Sequence, residues 1–233
     1  MFVYDDAVTG RFPAIRAAVI HATGLANGPS PAALLAEYHA EQEAVAKRLA
    51  VTAIADIPSI AAWRRVFTQF GAKPTQYRNA AEALLRRLGK QGAIPSVNAL
   101  TDIGNLVSIR YAMPVAVVDQ AGVAGAITVR FATGAESFAD LGSSASVAPE
   151  PGEVIFTDEE NAVCARRWCW RQSAQSATGP ATTRALIVVE GHHDTAAEDA
   201  TAAAADLTRL LAAHQPTVQV IAHQLSPAGL VSL

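Results

Sequence analysis

One stretch of the chain, residues 94 to 119, places the strongest constraint on the fold. In its first half, apolar residues recur at intervals of three and four, as on one face of an amphipathic helix: Val97, Leu100, Ile103, Leu106 and Val107. Pro114 then disfavours helical geometry at the residue before it. The apolar run at 115 to 118 is typical of a short buried strand, and Asp119 closes it. The stretch predicts a helix that leads directly into a core strand.

Polar side chains recur on the same predicted helix. Asn98, Asp102, Asn105 and Ser108 are spaced by three or four residues. Residues at this spacing share one side of a helix. A row of amide, carboxylate and hydroxyl groups beside the apolar row indicates that this side of the helix binds a polar group.

Composition sets limits on size and partners. The chain has 233 residues, 51% of them hydrophobic and 17% charged, so it can bury a sizeable core. The net charge of -3 argues against a protein that grips many phosphates, but not against one that contacts only the end of an RNA. No apolar run approaches the roughly 18 residues of a membrane helix, and the N-terminus has two early acids instead of the basic region of a secretory signal. We therefore expect a cytoplasmic protein with no membrane contact.

The order of the predicted elements favours an α+β fold. Helices are predicted at about 30–49, 60–70, 75–89 and 196–214, and strands at 125–131, 154–157, 162–172, 184–189 and 218–222, with short strands near 1–4 and 12–20. Helices followed by strands indicate layers rather than repeated βαβ winding. Without a repeat or a long linker, we expect one domain over residues 1–233, with a helical part at 1–93 and a core at about 94–223.

The sequence contains few signals of cofactor or metal chemistry. Cys164 and Cys169 would point to opposite faces of one strand, so we expect two free thiols. His192 and His193 are adjacent and point opposite ways on an extended chain, which argues against a shared metal ion. There is no nucleophile elbow, Walker loop or dinucleotide fingerprint. We expect neither a cofactor nor a metal.

The densest polar stretch is residues 166–173, Arg-Arg-Trp-Cys-Trp-Arg-Gln-Ser. If it is a strand, Arg166, Trp168, Trp170 and Gln172 lie on one face and Arg171 lies on the other. Aromatic rings beside arginine and glutamine can stack on a base of single-stranded RNA and bind its edge. The same residues can equally form a sheet face packed by cation–π contacts. The sequence alone leaves both interpretations open.

Glu190 follows the apolar run at 185–189 and precedes Gly191 and His192. A carboxylate at the end of a strand is close to the loops, where functional groups commonly lie. It can also be simply the first solvated residue after the strand. We favour a functional role for Glu190.

Several of these segments resemble the B3/B4 domain of the phenylalanyl-tRNA synthetase beta chain, and more closely the free-standing proteins built from that domain. The segments, in chain order, are Asp102–Leu106, Met113–Asp119, Val129–Ala132 with Gly134–Glu136, Pro151–Glu153, the Arg-Trp run, and Thr182 or Thr183 to Glu190. The resemblance covers about residues 94–190. It implies a three-layer β-β-α sandwich with an N-terminal helical portion.

The resemblance also implies an editing pocket for the wrong amino acid on a tRNA. By position, Asn105 lines the pocket and Glu190 reads the misattached side chain, while Ala116 stands where the family has its pocket histidine. The resemblance also implies that Trp168, Trp170 and Arg171 form the wall, with Arg130 and His192 as further substrate contacts. We assign the hydrolytic roles to Asn105, Arg171 and Gln172, because a few donors that position the ester and a water are enough for an activated ester.

The function that follows is a tRNA-binding domain that contacts the acceptor end and deacylates mischarged tRNA. The catalytic parts of the synthetase have no counterpart here, so the chain is not expected to aminoacylate. The alternative is a pocket protein without catalysis that binds a free amino acid, a small metabolite or a protein partner. Neither the amino acid nor the oligomeric state follows from the sequence.

Overall fold

Two five-stranded sheets face each other in the computed structural model, which describes residues 1–143 and 145–232. The strands are β1 (Phe2–Tyr4), β2 (Arg16–Thr23), β3 (Val115–Asp119), β4 (Ile127–Phe131), β5 (Phe138–Ala139), β6 (Ser146–Val147), β7 (Val154–Thr157), β8 (Val163–Arg166), β9 (Arg171–Gln172), β10 (Arg184–Gly191), β11 (Gln219–Ser226) and β12 (Gly229–Ser232). The helices are α1 (Asp6–Arg11), α2 (Ala32–Leu49), α3 (Pro58–Gln69), α4 (Ala80–Gln91), α5 (Ala99–Tyr111) and α6 (Ala196–His214).

The central sheet has the order β12-β11-β2-β10-β3, with antiparallel neighbours throughout. The outer sheet has the order β1-β4-β7-β8-β9, in which only the β1–β4 pair is parallel. Helices α5 and α6 pack their apolar sides on the free face of the central sheet, and α2 and α4 pack on α5 from outside. The layers are thus helix, central sheet and outer sheet, which confirms the predicted β-β-α sandwich.

Strand alternation along β10 decides which side chains enter the space between the sheets. Ile187 and Val189 belong to the core under the helices. Leu186 and Val188 belong to the core between the sheets, and Glu190 continues their face. The carboxyl of Glu190 is therefore directed between the two sheets by the period of the strand. The sequence suggested that Glu190 follows the strand. Because β10 extends to Gly191, Glu190 instead lies inside it.

The predicted helix-to-strand stretch is confirmed as α5 followed by β3. Asn98 caps α5 by accepting a hydrogen bond from the Thr101 N–H, so Val97 lies before the helix and is exposed. Asp102, in the polar row, is buried and accepts from Ser30 Oγ at 2.6 Å, from Ser96 and from the Val97 N–H at 2.9 Å. Asp102 thus stabilises the start of α5 and is not available to bind a ligand.

The strand predicted over residues 162–172 is wrong. The chain forms β8, a tight turn and β9, because Arg167 and Trp168 both have positive φ values, 45° and 58°. Left-handed backbone at two successive residues turns the chain back on itself. The alternating faces expected for Trp168 and Trp170 therefore do not exist.

Helix α4 also differs from its prediction. It begins at Ala80 instead of Thr75, because the Asn79 side chain caps it by accepting from the Glu82 N–H at 2.9 Å. It continues through Gly89 to Gln91 and is capped by Gly92, which has a φ of 76°. None of the helices in the described part of the chain is long and apolar enough to cross a membrane.

Candidate functional site

A buried carboxyl group, that of Glu190, lies between the two sheets near the end of β10. Its residue is 2% exposed. Its Oε1 accepts hydrogen bonds from the Tyr4 hydroxyl at 2.5 Å and from Trp168 Nε1 at 2.8 Å. The backbone carbonyl of Glu190 accepts from Trp63 Nε1 at 3.2 Å. Three aromatic side chains from different elements thus hold this one residue in place.

Burial gives this carboxyl an unusual acidity. Loss of water around the charged form raises the pKa of Glu190 from 4.5 to about 7, and the hydrogen bonds from Tyr4 and Trp168 limit the rise. Both protonation states are therefore populated near neutral pH. Carboxyl groups with such shifted pKa values occur frequently at functional sites.

A cavity of about 400 Å³, including the space at its mouth, opens beside Glu190. Its walls come from both sheets and from the start of α4: Ala80, Pro114, Val115, Ala116, Phe156, Ala165, Trp168, Cys169, Trp170, Arg171, Gln172 and Glu190. The side chain of Arg171 is 46% exposed, so the cavity runs from a charged rim inward to the Glu190 carboxyl. In the residues that the structure describes, no group donates a hydrogen bond to Glu190 Oε2.

The rim is formed by the turn between β8 and β9, and Glu153 holds that turn. Glu153 is 4% exposed and accepts from Arg166 Nε at 3.0 Å and Nη2 at 2.7 Å. The same carboxylate accepts from the Arg167 N–H at 2.7 Å. A buried carboxylate with these charged donors fixes the backbone where its φ becomes positive. The Arg-Trp run is thus built around an acid that lies 13 residues before Arg166.

Aromatic stacking ties the turn to the segment before α4. The Arg167 guanidinium lies 3.6 Å from the centre of the Tyr77 ring, and that ring meets Trp170 edge-on at 4.9 Å. The Ala80 N–H donates to the Cys169 carbonyl at 2.9 Å. Cation–π packing is therefore present in the Arg-Trp run. Trp168 is fully buried and so cannot stack on a base.

The polar groups at the rim have limited freedom. The Arg171 guanidinium lies 4.7 Å from the Trp170 ring centre and pairs with Asp140. Gln172 Nε2 donates to the Val117 carbonyl at 2.9 Å and to the Ser176 carbonyl at 2.7 Å. Both amide hydrogens of Gln172 are thus used inside the protein, and its carbonyl oxygen alone is left for a ligand.

Six of the residues proposed from the sequence meet at this cavity: Ala116, Trp168, Trp170, Arg171, Gln172 and Glu190. Asn105 does not line it. Asn105 lies on α5, in the helical layer, near the buried Tyr38 hydroxyl but without a hydrogen bond of ordinary length to it. Burial raises the pKa of Tyr38, and the nearby Asn105 side chain opposes part of that rise. The central sheet lies between this layer and the space that holds Glu190. The geometry therefore gives Asn105 no contact with a ligand in the cavity.

Arg130 and His192 also lie away from the cavity lining. Arg130 extends from β4 to Glu136 and, at 2.9 Å, to Asn161 Oδ1. His192 stands among aromatic rings, 4.6 Å from Trp63 and 5.1 Å from Trp168 by ring centres, with a buried Nε2 that has no partner among the described residues. Burial lowers the pKa of His192 to about 3, so the ring is neutral.

Sequence reasoning missed two residues that touch Glu190, Tyr4 and Trp63. Tyr4 is 186 positions away along the chain, in a three-residue strand. Trp63 is one of several apolar residues on a short amphipathic helix. Their contacts with Glu190 depend on the packing of β1 and α3 against the end of β10, and no local sequence pattern indicates those contacts.

Thiol and metal chemistry find no support at the cavity. Cys164 and Cys169 are both free, as expected. Burial raises the pKa of the Cys164 thiol to about 12 and that of Cys169 well above its usual range, so neither is a thiolate at neutral pH. Across residues 1–143 and 145–232 no group of three histidine, cysteine or acidic side chains could hold a metal ion.

The B3/4 domain model matches residues 62–214, a range that contains every residue of the cavity wall. Among solved structures, an N-terminal fragment of the phenylalanyl-tRNA synthetase beta-subunit from Pyrococcus horikoshii is similar to the chain, with a TM-score of 0.48 and 12% sequence identity. The similarity covers 94% of this chain and 50% of that fragment, so the chain spans half of its length. A search of the curated proteins returned no match.

Proposed function

Because the chain belongs to the B3/4 domain family, we propose that it binds the aminoacylated 3′ end of a tRNA and hydrolyses the ester of a mischarged amino acid. The observation that supports this most directly is the cavity itself, which leads from the exposed Arg171 to the buried carboxyl of Glu190. We also propose that residues 1–233 act as one domain.

The dimensions of the cavity favour an amino acid as its occupant. The cavity is lined by twelve residues, most of them apolar, and it is far too small to take up a folded RNA. The RNA would stay at the rim, and only the aminoacyl group would enter. Ala116, Phe156 and Ala165 offer apolar contacts to its side chain.

Glu190 supplies polar recognition inside the cavity. Its Oε1 accepts from Tyr4 and Trp168, so Oε2 is the oxygen left for a ligand. With a pKa of about 7 the group can accept a hydrogen bond from an ammonium or hydroxyl, or donate one when protonated. An amino acid that leaves this carboxyl unpaired at the inner end of the cavity would be rejected.

Hydrolysis places modest demands on the site. A water adds to the ester carbonyl carbon, the bond to the ribose oxygen breaks, and that oxygen takes up a proton while the carboxylic acid is released. The guanidinium of Arg171 at the rim is the donor available to the developing oxyanion. Positioning of the water by the substrate's own ribose hydroxyl and by Gln172 Oε1 supplies the rest.

The test is a deacylation assay on a panel of mischarged tRNAs. The wild-type protein should release at least one amino acid faster than buffer does, and Arg171→Ala and Glu190→Gln should each lower the rate at least tenfold. Glu160→Gln, an exposed change of the same kind, is the control and should leave the rate unchanged. Equal rates for all four proteins on every tRNA would refute the hydrolase.

A second function, binding of a free amino acid without catalysis, is favoured by the engaged donors at the rim. Gln172 donates both amide hydrogens to backbone carbonyls, and Arg171 is paired with Asp140. Thermal shift measurements with single amino acids separate the two functions. A raised melting temperature together with no deacylation of any tRNA would support the binding protein.

A further inference from the structure

A second depression adjoins the mouth of the cavity and is rich in arginine. It is lined by Gln76, Arg78, Ala83, Arg86, Trp170 and Arg171. Trp170 and Arg171 line both the cavity and this depression, which we call the arginine groove. A ligand that reaches into the cavity past the rim therefore passes along the groove.

The carboxylates near the groove do not balance its cations. Arg86 Nε pairs with Glu82 at 2.8 Å, but the same Glu82 oxygen also pairs with Arg64 at 2.7 Å. Arg171 pairs with Asp140. Arg78 forms no ion pair or hydrogen bond with any residue that the structure describes, and its Nε is buried without an acceptor. Positive charge is thus left over in the groove, although the net charge of the protein is -3.

We propose that the arginine groove binds a backbone phosphate of the terminal nucleotides of single-stranded RNA while the aminoacyl group occupies the Glu190 cavity, an inference that rests on the proposed function. A phosphate offers several acceptor oxygens, and guanidinium groups match them in planar, paired geometry. Arg78 is the main contact, because its guanidinium has no internal acceptor. The small surplus of charge fits one or two phosphates and agrees with a protein that holds only the end of an RNA.

The decisive variant is Arg78→Gln, which removes the charge without breaking a described hydrogen bond. Arg87→Gln is the matched control, since Arg87 is an exposed arginine on α4 that bonds Gln91 and does not line the groove. Filter binding of a short single-stranded RNA with a 3′-terminal adenosine is measured at several salt concentrations. Arg78→Gln should weaken binding about tenfold, as for one lost charged hydrogen bond, and reduce the salt slope by about 0.7. Arg87→Gln should change neither.

An aminoacyl ester of adenosine, which has no phosphate, separates this inference from the proposed function. Arg78→Gln should hydrolyse this ester at the wild-type rate but act more slowly on the corresponding tRNA. If the wild type leaves both the adenosine ester and every mischarged tRNA intact, the hydrolase is refuted, while the RNA-binding comparison still decides the groove. Equal RNA affinities for Arg78→Gln and wild type would overturn the groove, as would inorganic phosphate binding as tightly as the RNA. Matching urea denaturation curves establish that both variants are folded.

Discussion

Glu190 combines an acidic group, full burial and aromatic donors at one position. The Tyr4 hydroxyl and the Trp168 indole hold Oε1, and the surrounding apolar side chains reduce the contact of the carboxyl with water. Because the folded protein stabilises the protonated carboxyl relative to water, the ionisation of Glu190 is coupled to folding. The site that would recognise a ligand is also a site where pH affects stability.

The first prediction concerns this coupling. The pKa of Glu190 is raised to about 7 in the folded protein, so the folded state binds more protons than the unfolded chain between pH 4.5 and 7. The contribution of Glu190 to the free energy of unfolding should therefore be fully present below pH 4.5 and should fall by up to about 3 kcal/mol as the pH rises to 7. Urea denaturation at several pH values measures it. In Glu190→Gln this fall should be absent. If the free energy of unfolding of Glu190→Gln depended on pH as that of the wild type does, the raised pKa of Glu190 would be contradicted.

His192 should act in the opposite direction. Its pKa is lowered from 6.5 to about 3 by burial, so its stabilising contribution is present above pH 6.5 and is lost as the pH falls towards 3. His192→Phe should reduce the loss of stability in acid and remove a buried nitrogen without a partner. The exposed His39→Gln serves as control and should keep the wild-type acid sensitivity. Equal acid sensitivity in His192→Phe and the wild type would argue against a buried neutral ring.

At the scale of single residues, the sequence identified the acid but not its partners. Glu190 and Ala116 were found because strand ends and family positions are local features. Asn105 was placed by its family position, and the structure directs it towards Tyr38. Side-chain direction on a helix depends on how the helix is rotated against its neighbours, and sequence spacing alone does not fix that rotation.

Among the elements, the β8–β9 turn depends most on a single ion cluster. Glu153 neutralises Arg166 and bonds the Arg167 backbone, and both Glu153 and Arg167 are buried. Glu153→Gln should lower the free energy of unfolding by about 3 kcal/mol, because it leaves a partly buried guanidinium without its carboxylate. Urea denaturation followed by circular dichroism measures the change.

The matched control for this prediction is Glu150→Gln. Glu150 also pairs with Arg167, at 3.1 Å, but its side chain is 72% exposed. Solvent screens such a pair, so the change should cost less than about 1 kcal/mol. If both variants were equally stable, the buried acid would not be the support of the turn.

Strand β3 offers a direct way to close the cavity. Ala116 lines it from the edge of the central sheet, opposite Phe156 of the outer sheet. Ala116→Leu should fill part of the space and lower ligand binding or deacylation at least tenfold, with the circular dichroism spectrum retained. Ala121→Leu, in the exposed turn after β3, is the control. Full activity of Ala116→Leu would place the ligand elsewhere.

Elements with strong local signals were predictable, and those set by distant contacts were not. The α5–β3 stretch followed from apolar spacing and Pro114. The Arg-Trp run looked like a strand because its residue types suit one, but its reversal depends on Glu153, which lies outside the run. Positive φ at arginine and tryptophan has no local sequence signal.

For the whole molecule, the position of β2 has the widest effect. It lies between β10 and β11 and pairs with both along its length. β1 likewise joins the outer sheet beside β4. Both strands lie before residue 62, where the family match begins. The N-terminal part was expected to be mostly helical, with short strands near 1–4 and 12–20, and the second of these strands is an inner strand of the central sheet.

A fragment that begins at residue 94 should consequently fail to fold. It would leave β10 and β11 without their shared neighbour and expose the apolar faces that β2 covers. A chain ending at Ala228 loses only the edge strand β12 and should still unfold cooperatively in urea. Cooperative unfolding of the 94–233 fragment would show that the N-terminal part is dispensable. The order of strands in a sheet pairs distant segments, and for this reason the sequence predicted the layers but not this dependence.

The chain has three tryptophans, and all of them surround Glu190: Trp63 bonds its carbonyl, Trp168 bonds its carboxyl, and Trp170 forms the rim. The indole emission of the whole protein therefore originates at this one place. Occupation of the cavity, or a change in the charge of Glu190, would alter the intensity or colour of that light directly. The protein carries its own optical reporter, and a titration can be followed without attaching a dye.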